Sequence, residues 1–274
     1  MLMQPFHVLV ALTEYRKNNA MRRFVFIISF LFVVADFSFG QYVYTGGTIN
    51  TNTTWSGYDY YYVDGNIEIT TGGSLTIEPN TGSNNPVHVV FRGAYGITVN
   101  GTGALNVNGT YSRNVFFTAD RNSNQKYGET GETWLNLSFN ESSGTSVIDY
   151  AIIEYGTGDS FGVGGGIDIY ANNITVRNTT VQYCNLSGDG GGIYVFPTGG
   201  SVTLQSIKIH DNTATGNGGG LFVDGVLNIE GCEIYNNSAD NGDGIYLNAA
   251  CTISRSLVHE NSGEGVYINV SGAT

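Results

Sequence analysis

Charged residues, proline and cysteine are all scarce in this chain of 274 residues. Charged side chains make up 12% of it, and it has 4 prolines and 3 cysteines. A chain with so little charge is not a disordered, self-repelling tail. Cys184, Cys232 and Cys251 are odd in number and lack the spacing of a metal site, so we expect buried small hydrophobic residues. One disulfide stays open as an alternative if the protein is exported.

Long apolar runs are confined to the first 40 residues. Met21-Arg22-Arg23 precedes a short, almost wholly apolar run, and Ser38-Phe39-Gly40 follows it. A basic start, an apolar run and small residues at −3 and −1 predict a secretory signal peptide at 1–40. Met21 opens the better basic region, so we interpret residues 1–20 as a misassigned upstream start. An uncleaved anchor is the alternative, although the run is short for a membrane span.

Basic side chains are also few. The chain has 11 Lys and Arg against 23 Asp and Glu, a formal charge of −12. Removal of residues 1–40 takes away four of the basic and two of the acidic residues, which lowers the charge to −14. So acidic a domain is repelled by nucleic acid and by anionic membranes, so neither is expected as a partner. It could attract Ca²⁺, but no residue pattern identifies a metal or cofactor site.

Glycine is abundant in the chain, with 39 residues. Many of these glycines recur in one short sequence motif, which we call the Gly phrase. The phrase ends in an apolar residue at positions 167, 193, 221, 245 and 266, so its steps are 26, 28, 24 and 21 residues. Periods of this size indicate a stacked array of units that cannot bury their apolar surface alone. The five copies are Gly164-Gly165-Gly166-Ile167, Gly190-Gly191-Gly192-Ile193, Gly218-Gly219-Gly220-Leu221, Gly242-Asp243-Gly244-Ile245 and Gly263-Glu264-Gly265-Val266.

Each phrase is followed by up to three short apolar–polar–apolar triplets, such as Ile193-Tyr194-Val195, Val202-Thr203-Leu204 and Ile207-Lys208-Ile209. Period-two alternation places the outer members on one face of a strand. Three strands in so short a unit leave no room for helices, so strands must pair between coils about 4.8 Å apart. The sequence therefore predicts an all-β parallel β-helix of about eight coils over residues 63–274.

We expect the two ends of this solenoid to differ. Residues 41–62 contain Trp55 and a Tyr-rich run, which we interpret as a cap over the first coil. The chain stops just after the first strand of a new coil, and unpaired strand edges are a liability. We therefore interpret it as the remainder of a longer polypeptide, truncated at its C-terminus; the alternative is a last coil that a partner protects.

Several motifs carry a family resemblance. Asn212-Thr213-Ala214 followed by Gly218–Val223, and the earlier Gly73–Pro79, resemble exported right-handed parallel β-helix proteins. These include the pectin-lyase-like superfamily and the polymorphic outer-membrane-protein repeats. The resemblance covers roughly residues 60–270 and implies a right-handed solenoid that is secreted or displayed at a bacterial cell surface. Asn80 and Trp134–Leu137 depart from the family pattern, so those corners are expected to differ.

Two columns of residues stand out as candidate sites. Asn212, Asn237 and Asn261 recur at one turn, with Cys184 before them, and predict a structural ladder of side-chain amide hydrogen bonds. Tyr194, Phe222, Tyr246 and Tyr267 recur in the middle of the first triplet and predict an exposed aromatic column. Stacked rings stiffen a sheet, but an exposed column would also offer a contact surface to a glycan or a protein.

Acidic residues are spread among the coils and do not concentrate in one column. No nucleophile elbow, phosphate-binding loop or zinc motif is present, so no catalytic residue is assigned. The preferred hypothesis is a non-catalytic adhesin- or passenger-type surface protein that binds glycan or protein. The alternative is a polysaccharide lyase or glycoside hydrolase of the pectin-lyase-like class, since fold alone does not separate the two.

Overall fold

The computed structural model describes residues 41–270 except 122, 123, 125, 128, 130, 142, 198 and 201. The expected signal peptide at 1–40 lies outside the described residues. Among the residues described, the chain forms strands and turns and no helix. Consequently, none of these residues belongs to a helix able to span a membrane.

The strands are short, and each has two to five residues. In chain order they are β1 (Gln41–Tyr44), β2 (Gly47–Ile49), β3 (Asn52–Trp55), β4 (Tyr60–Val63), β5 (Ile67–Ile69), β6 (Ser74–Ile77), β7 (Val87–Phe91), β8 (Ile97–Val99), β9 (Ala104–Asn108), β10 (Val115–Ala119), β11 (Leu137–Phe139), β12 (Ser146–Asp149), β13 (Ala151–Glu154), β14 (Ile167–Ile169), β15 (Ile174–Arg177), β16 (Thr180–Gln182), β17 (Asn185–Leu186), β18 (Ile193–Val195), β19 (Val202–Gln205), β20 (Lys208–His210), β21 (Thr213–Ala214), β22 (Leu221–Val223), β23 (Leu227–Glu230), β24 (Glu233–Tyr235), β25 (Ile245–Leu247), β26 (Thr252–Ser254), β27 (Leu257–His259) and β28 (Val266–Ile268).

These strands form three long parallel sheets, because each strand pairs with its equivalent in the next coil. Sheet A follows the order β1-β4-β7-β10-β13-β16-β20-β24-β27. Sheet B follows β2-β5-β8-β11-β14-β18-β22-β25-β28, and sheet C follows β3-β6-β9-β12-β15-β19-β23-β26. The small pair β17 and β21 lies at one corner. The predicted fold class, a parallel β-solenoid, is confirmed.

The core consists of the inward members of the triplets. Aliphatic and aromatic side chains stack from coil to coil and exclude water, which is the main force that holds coils of this kind together. In the N-terminal half, the inward residues are each at most 1% exposed: Ile67, Ile69, Leu75, Ile77, Val87, Val89, Phe91, Ile97, Val99, Leu105, Val107, Val115 and Phe117. Cys184 and Cys232 are buried, Cys251 is half-buried, and all three are free thiols.

Residues 41–62 differ from the sequence-based expectation of a separate cap. They form β1, β2, β3 and the start of β4, which pair in parallel with the following coil, so this segment is itself a coil. Besides Ile49, its core positions are filled by rings rather than by aliphatic side chains, which hid the alternation. Trp55 and Tyr61 stack face to face at 4.6 Å and are buried, so aromatic rings still occupy the core of this first coil.

The Gly phrases form corners where successive coils approach closely. The first glycine of four phrases has a positive φ, for example +75° at Gly190 and +69° at Gly218. The last glycine faces the next coil: a Cβ on Gly220 would lie 2.7 Å from the carbonyl oxygen of Gly244. Left-handed backbone favours glycine, and only glycine leaves room for that carbonyl.

The amide side chains of Asn212, Asn237 and Asn261 connect three coils at another corner. The Oδ1 atom of Asn237 accepts hydrogen bonds from the backbone N–H of Asn212 at 3.0 Å and from its Nδ2 at 3.1 Å. Asn261 accepts the equivalent pair from Asn237 at 2.9 and 3.1 Å. At the start of the ladder, Asn212 Oδ1 accepts from the backbone N–H of Cys184 at 3.0 Å. Each side chain thus satisfies the backbone of the coil before it.

Replacement of Asn237 by Ala tests the ladder. Asn237 is fully buried, and its loss leaves the Asn212 N–H without an acceptor, so we expect unfolding free energy to fall by about 2–4 kcal/mol. Urea denaturation measures the change. Asn228→Ala, at an exposed position of β23, is the matched control and should change stability by less than about 0.5 kcal/mol. Equal stability of the two variants would show that the ladder contributes nothing.

Candidate functional site

The outward face of sheet B carries one continuous column of side chains, one from each coil. Pairing in register fixes this column, because the middle residues of successive strands lie beside one another. Its first five members are polar and its last four are aromatic. From the first coil to the last described one they are Thr48, Glu68, Thr98, Ser138, Asp168, Tyr194, Phe222, Tyr246 and Tyr267.

The aromatic half is a regular stack. Ring centroids are 4.9 Å apart between Tyr194 and Phe222, and 5.1 Å apart between Phe222 and Tyr246 and between Tyr246 and Tyr267. The planes are within 10° of parallel. The sequence therefore identified residues that do share one column.

This column is less exposed than expected from the sequence. Phe222 is only 7% exposed and Tyr246 9%, whereas Tyr194 and Tyr267 are half-buried. The reason is that each inner ring is sandwiched between its neighbours, which cover both of its faces. Beside the stack, the ring centroid of Tyr170 lies 5.8 Å from that of Tyr194. Burial raises the pKa of the Tyr194 hydroxyl, with Tyr170 and nearby acids adding to the effect.

The polar half borders an open groove of about 330 Å³. Hydrogen bonds hold several lining side chains in place. For example, Asn100 Nδ2 donates to Glu68 Oε1 at 2.7 Å, and Asn136 Nδ2 donates to the carbonyl oxygen of Gly164 at 3.0 Å. None of the nine lining residues is basic. They are Asn66, Ile67, Glu68, Gly96, Thr98, Asn100, Leu135, Asn136 and Asp159.

Asp168 lies where the polar and aromatic halves meet. It is 1% exposed, and its Oδ2 accepts a long hydrogen bond of 3.5 Å from the hydroxyl of Ser138. Its Oδ1 atom is buried without a hydrogen-bond partner. Burial raises the pKa of this carboxyl well above its usual value, and the charge of Asp159 raises it further. The pKa of Tyr170 is raised to about 12, mainly by burial and further by the charges of Asp168 and Asp159.

A second outward column, on sheet A, contains His210, Tyr235 and His259. Their rings stack at 4.6 and 5.3 Å, so the tyrosine separates the two imidazoles. His210 Nδ1 lies 2.6 Å from Asp211 Oδ2. Over the described part of the chain, no three His, Cys, Asp or Glu side chains are arranged to hold a metal ion.

Glu154 precedes these residues in the same column and is buried. Its carboxylate accepts hydrogen bonds from Thr118 Oγ1 at 2.9 Å and from Gln182 Nε2 at 2.8 Å. Burial nevertheless raises the pKa of the carboxyl, because the two neutral donors offset only part of the lost hydration. No positively charged side chain contributes to this shift.

Comparison with protein-family models identifies a family that has this architecture. The model described as a right handed beta helix region matches residues 136–274, just over half of the chain. The chain belongs to the right-handed β-helix family. No match was found among curated proteins or among solved structures. The family match supports the fold and its handedness, and function must be argued from the residues of this β-helix.

Sequence reasoning found the aromatic half of the sheet B column but missed the groove. The groove lies in coils that precede the Gly phrase, so no repeat placed Glu68, Thr98 and Asn136 in register. Asp159 comes from the segment between β13 and β14, which sequence alone could not place over a sheet. Asp168 occupies the equivalent place in the first Gly-phrase unit, but its burial without a partner left no signal in the sequence.

Replacement of Phe222 by Ala removes the inner ring of the stack. We expect the unfolding free energy to fall by about 3 kcal/mol, since a buried ring and two ring contacts are lost. Phe222→Tyr keeps the ring and is the control, with little change expected. Thermal and urea unfolding measure both. A Phe222→Ala variant as stable as the wild type would show that ring stacking does not support the sheet.

Replacement of Glu154 by Gln tests whether ionisation of this buried carboxyl on sheet A lowers the stability of the folded protein. A folded-state pKa above the unfolded value gives stability that is present below the unfolded pKa and lost as pH rises through the folded one. As pH rises above about 4, the wild type should therefore lose stability relative to Glu154→Gln. Paired denaturation curves across this range check the trend. A difference that is constant with pH, or one of opposite sign, would contradict it.

Proposed function

We propose that this β-helix is an exported, secreted or surface-displayed protein that binds a glycan along the outward face of sheet B, without catalysing its cleavage. The observation that carries the proposal is the groove of the polar half. Amide, hydroxyl and carboxylate groups line it and recur from coil to coil. An extended sugar chain presents hydroxyl groups at regular intervals, which such groups bind well.

The groove is rigid, which favours binding. Glu68 and Thr98 lie on neighbouring strands of one sheet, and Asn100 is held against Glu68 by a hydrogen bond. Side chains fixed before binding lose little conformational entropy when a ligand arrives. The groove therefore offers a preorganised set of donors and acceptors on a scaffold that does not need to move.

The sequence predicted that the aromatic column would be an exposed contact surface, but in this proposal its role in glycan binding is smaller. Because the faces of Phe222 and Tyr246 are covered by neighbouring rings, a sugar ring has no access to them. What remains accessible are parts of Tyr194 and Tyr267, which are half-buried. In this proposal the stack chiefly stiffens the sheet, and Tyr194 borders the bound glycan.

The charge of the groove argues against a lyase that acts on acidic polysaccharides. Such a substrate carries carboxylates that need neutralisation by cations. The groove instead presents Glu68 and Asp159 and no basic side chain. Like charges at short distance disfavour binding. A neutral glycan fits the groove better than a uronic-acid polymer does.

Binding is tested with the full chain, by affinity electrophoresis through gels that contain neutral polysaccharides and, in parallel, a uronic-acid polymer. The double variant Glu68→Ala with Asn100→Ala removes both partners of one hydrogen bond, and it also removes the Asn100 Oδ1 that accepts from Asn140 Nδ2. We expect it to weaken glycan binding about 10-fold, from loss of two polar contacts. Asn228→Ala, on the outward face of sheet C, is the matched control and should bind as the wild type does.

Two results would overturn the proposal. Retardation that is the same in the double variant and the wild type would show that the groove is not the binding site. Release of shortened or unsaturated sugars from any polymer that binds would show that the protein is an enzyme, as the alternative hypothesis holds.

A further inference from the structure

The outward face of sheet C carries a column of small, uncharged side chains that runs through all eight of its strands. Pairing in register places one member on each strand. None of these residues is buried or charged, although the chain has a formal charge of −12. Asn106, Val147 and Asn228 are three of them. The other five are threonines, which we call the threonine column: Thr54, Thr76, Thr175, Thr203 and Thr252.

The hydroxyl groups of the threonine column are not used inside the protein. They make no hydrogen bond with any other part of the chain that the structure describes. The next outward column of sheet C does the opposite, since Arg177 Nε donates to Asp149 Oδ2 at 2.9 Å and Glu230 forms an ion pair with Arg255. The hydroxyls of the threonine column are therefore left to bind water or a partner.

The threonine column is also regular and stiff. Neighbouring strands of a sheet lie about 4.8 Å apart, so the members recur at multiples of this distance along the solenoid. Threonine is branched at Cβ, which restricts its χ1 angle and holds the hydroxyl and the methyl group in place before any partner arrives. The face widens over the first three strands of the sheet, where Asn52, Ser74 and Ala104 form a second uncharged column.

A face with this chemistry fits a neutral partner that presents hydrogen-bonding groups at regular intervals. The surface of ice has these properties, because each of its water molecules both donates and accepts. A threonine hydroxyl also does both. Its methyl group orders the adjacent water without competing for hydrogen bonds. The repeat of about 4.8 Å between strands is close to a repeat of the oxygen positions in ice.

Two other partners fit the face less well. A crystalline polysaccharide exposes the apolar faces of its sugar rings, which stack on aromatic side chains, and no residue of the eight is aromatic. A second copy of the chain would need aromatic and large apolar residues at the centre of the contact. Among the eight residues, Val147 alone has a purely aliphatic side chain.

We propose that the threonine column on sheet C binds the surface of ice crystals. Bound protein would pin the growing surface and slow the recrystallisation of ice around it. The proposal does not rest on glycan binding, which is assigned to sheet B. The two faces are therefore separable by mutation, and Glu68→Ala with Asn100→Ala should bind ice as the wild type does.

The test uses the full chain and ice itself as the probe. One assay measures the fraction of protein that slowly growing ice incorporates, and a second follows the growth of ice grains in a frozen film. Thr76→Lys and Thr203→Lys each place a long charged side chain in the column, on strands far apart in the solenoid. Thr213→Lys, at an exposed position of the corner strand β21, is the matched control.

We expect the wild type and Thr213→Lys to enter the ice and to keep its grains small. Thr76→Lys and Thr203→Lys should each require about a tenfold higher concentration for the same effect, because the ammonium group must lose its hydration or hold the face away from the ice. Unfolding curves establish that each variant is folded. If one column variant fails to fold, the other, in a different coil, decides the test alone.

Three outcomes would overturn the proposal. The first is a wild-type protein that growing ice excludes and that leaves recrystallisation unchanged. The second is a folded Thr76→Lys or Thr203→Lys variant as active as the wild type. The third is sedimentation of the wild type with crystalline cellulose or chitin, lost in the column variants and without incorporation into ice, which would assign the face to a polysaccharide.

Discussion

The structure depends on one constraint: backbone hydrogen bonds between successive coils place equivalent residues directly beside one another. Every strand in the three long sheets pairs in parallel with its counterpart in the next coil. A side chain therefore meets the same kind of side chain in the neighbouring coils. Aliphatic residues become core columns, Asn212, Asn237 and Asn261 become an amide ladder, and Tyr194 and its partners become a ring stack.

This constraint explains why much of the fold could be predicted from the sequence. Triplets such as Ile193-Tyr194-Val195 repeat at short intervals, so period, strand direction and inward faces follow from simple alternation. The first coil could not be predicted as a coil, since Trp55 and Tyr61 fill positions that aliphatic residues fill elsewhere. The left-handed backbone at Tyr155, Tyr183 and Glu260 could not be predicted either, because a positive φ is uncommon outside glycine and asparagine.

The candidate site was predictable only where the repeat is regular. The aromatic residues were found because they share one place in the Gly-phrase units, but their burial follows from ring stacking, which residue type alone does not reveal. The groove depends on earlier coils with unequal spacing and on the segment that carries Asp159. Asp168 joins the two halves, and its unpartnered carboxylate is a property of three-dimensional packing that no local pattern encodes.

The most direct test of the account is whether residues assigned to one column are neighbours in solution. Thr203 and Asn228 are paired on the outward face of sheet C, and Thr252 lies one coil further along. Oxidation of Thr203→Cys with Asn228→Cys should form a disulfide detectable by peptide mass spectrometry, because adjacent strands place Cα atoms within the usual range of about 4.4–6.8 Å. Thr203→Cys with Thr252→Cys should not cross-link. The reverse result would show that the coils are not stacked in this register.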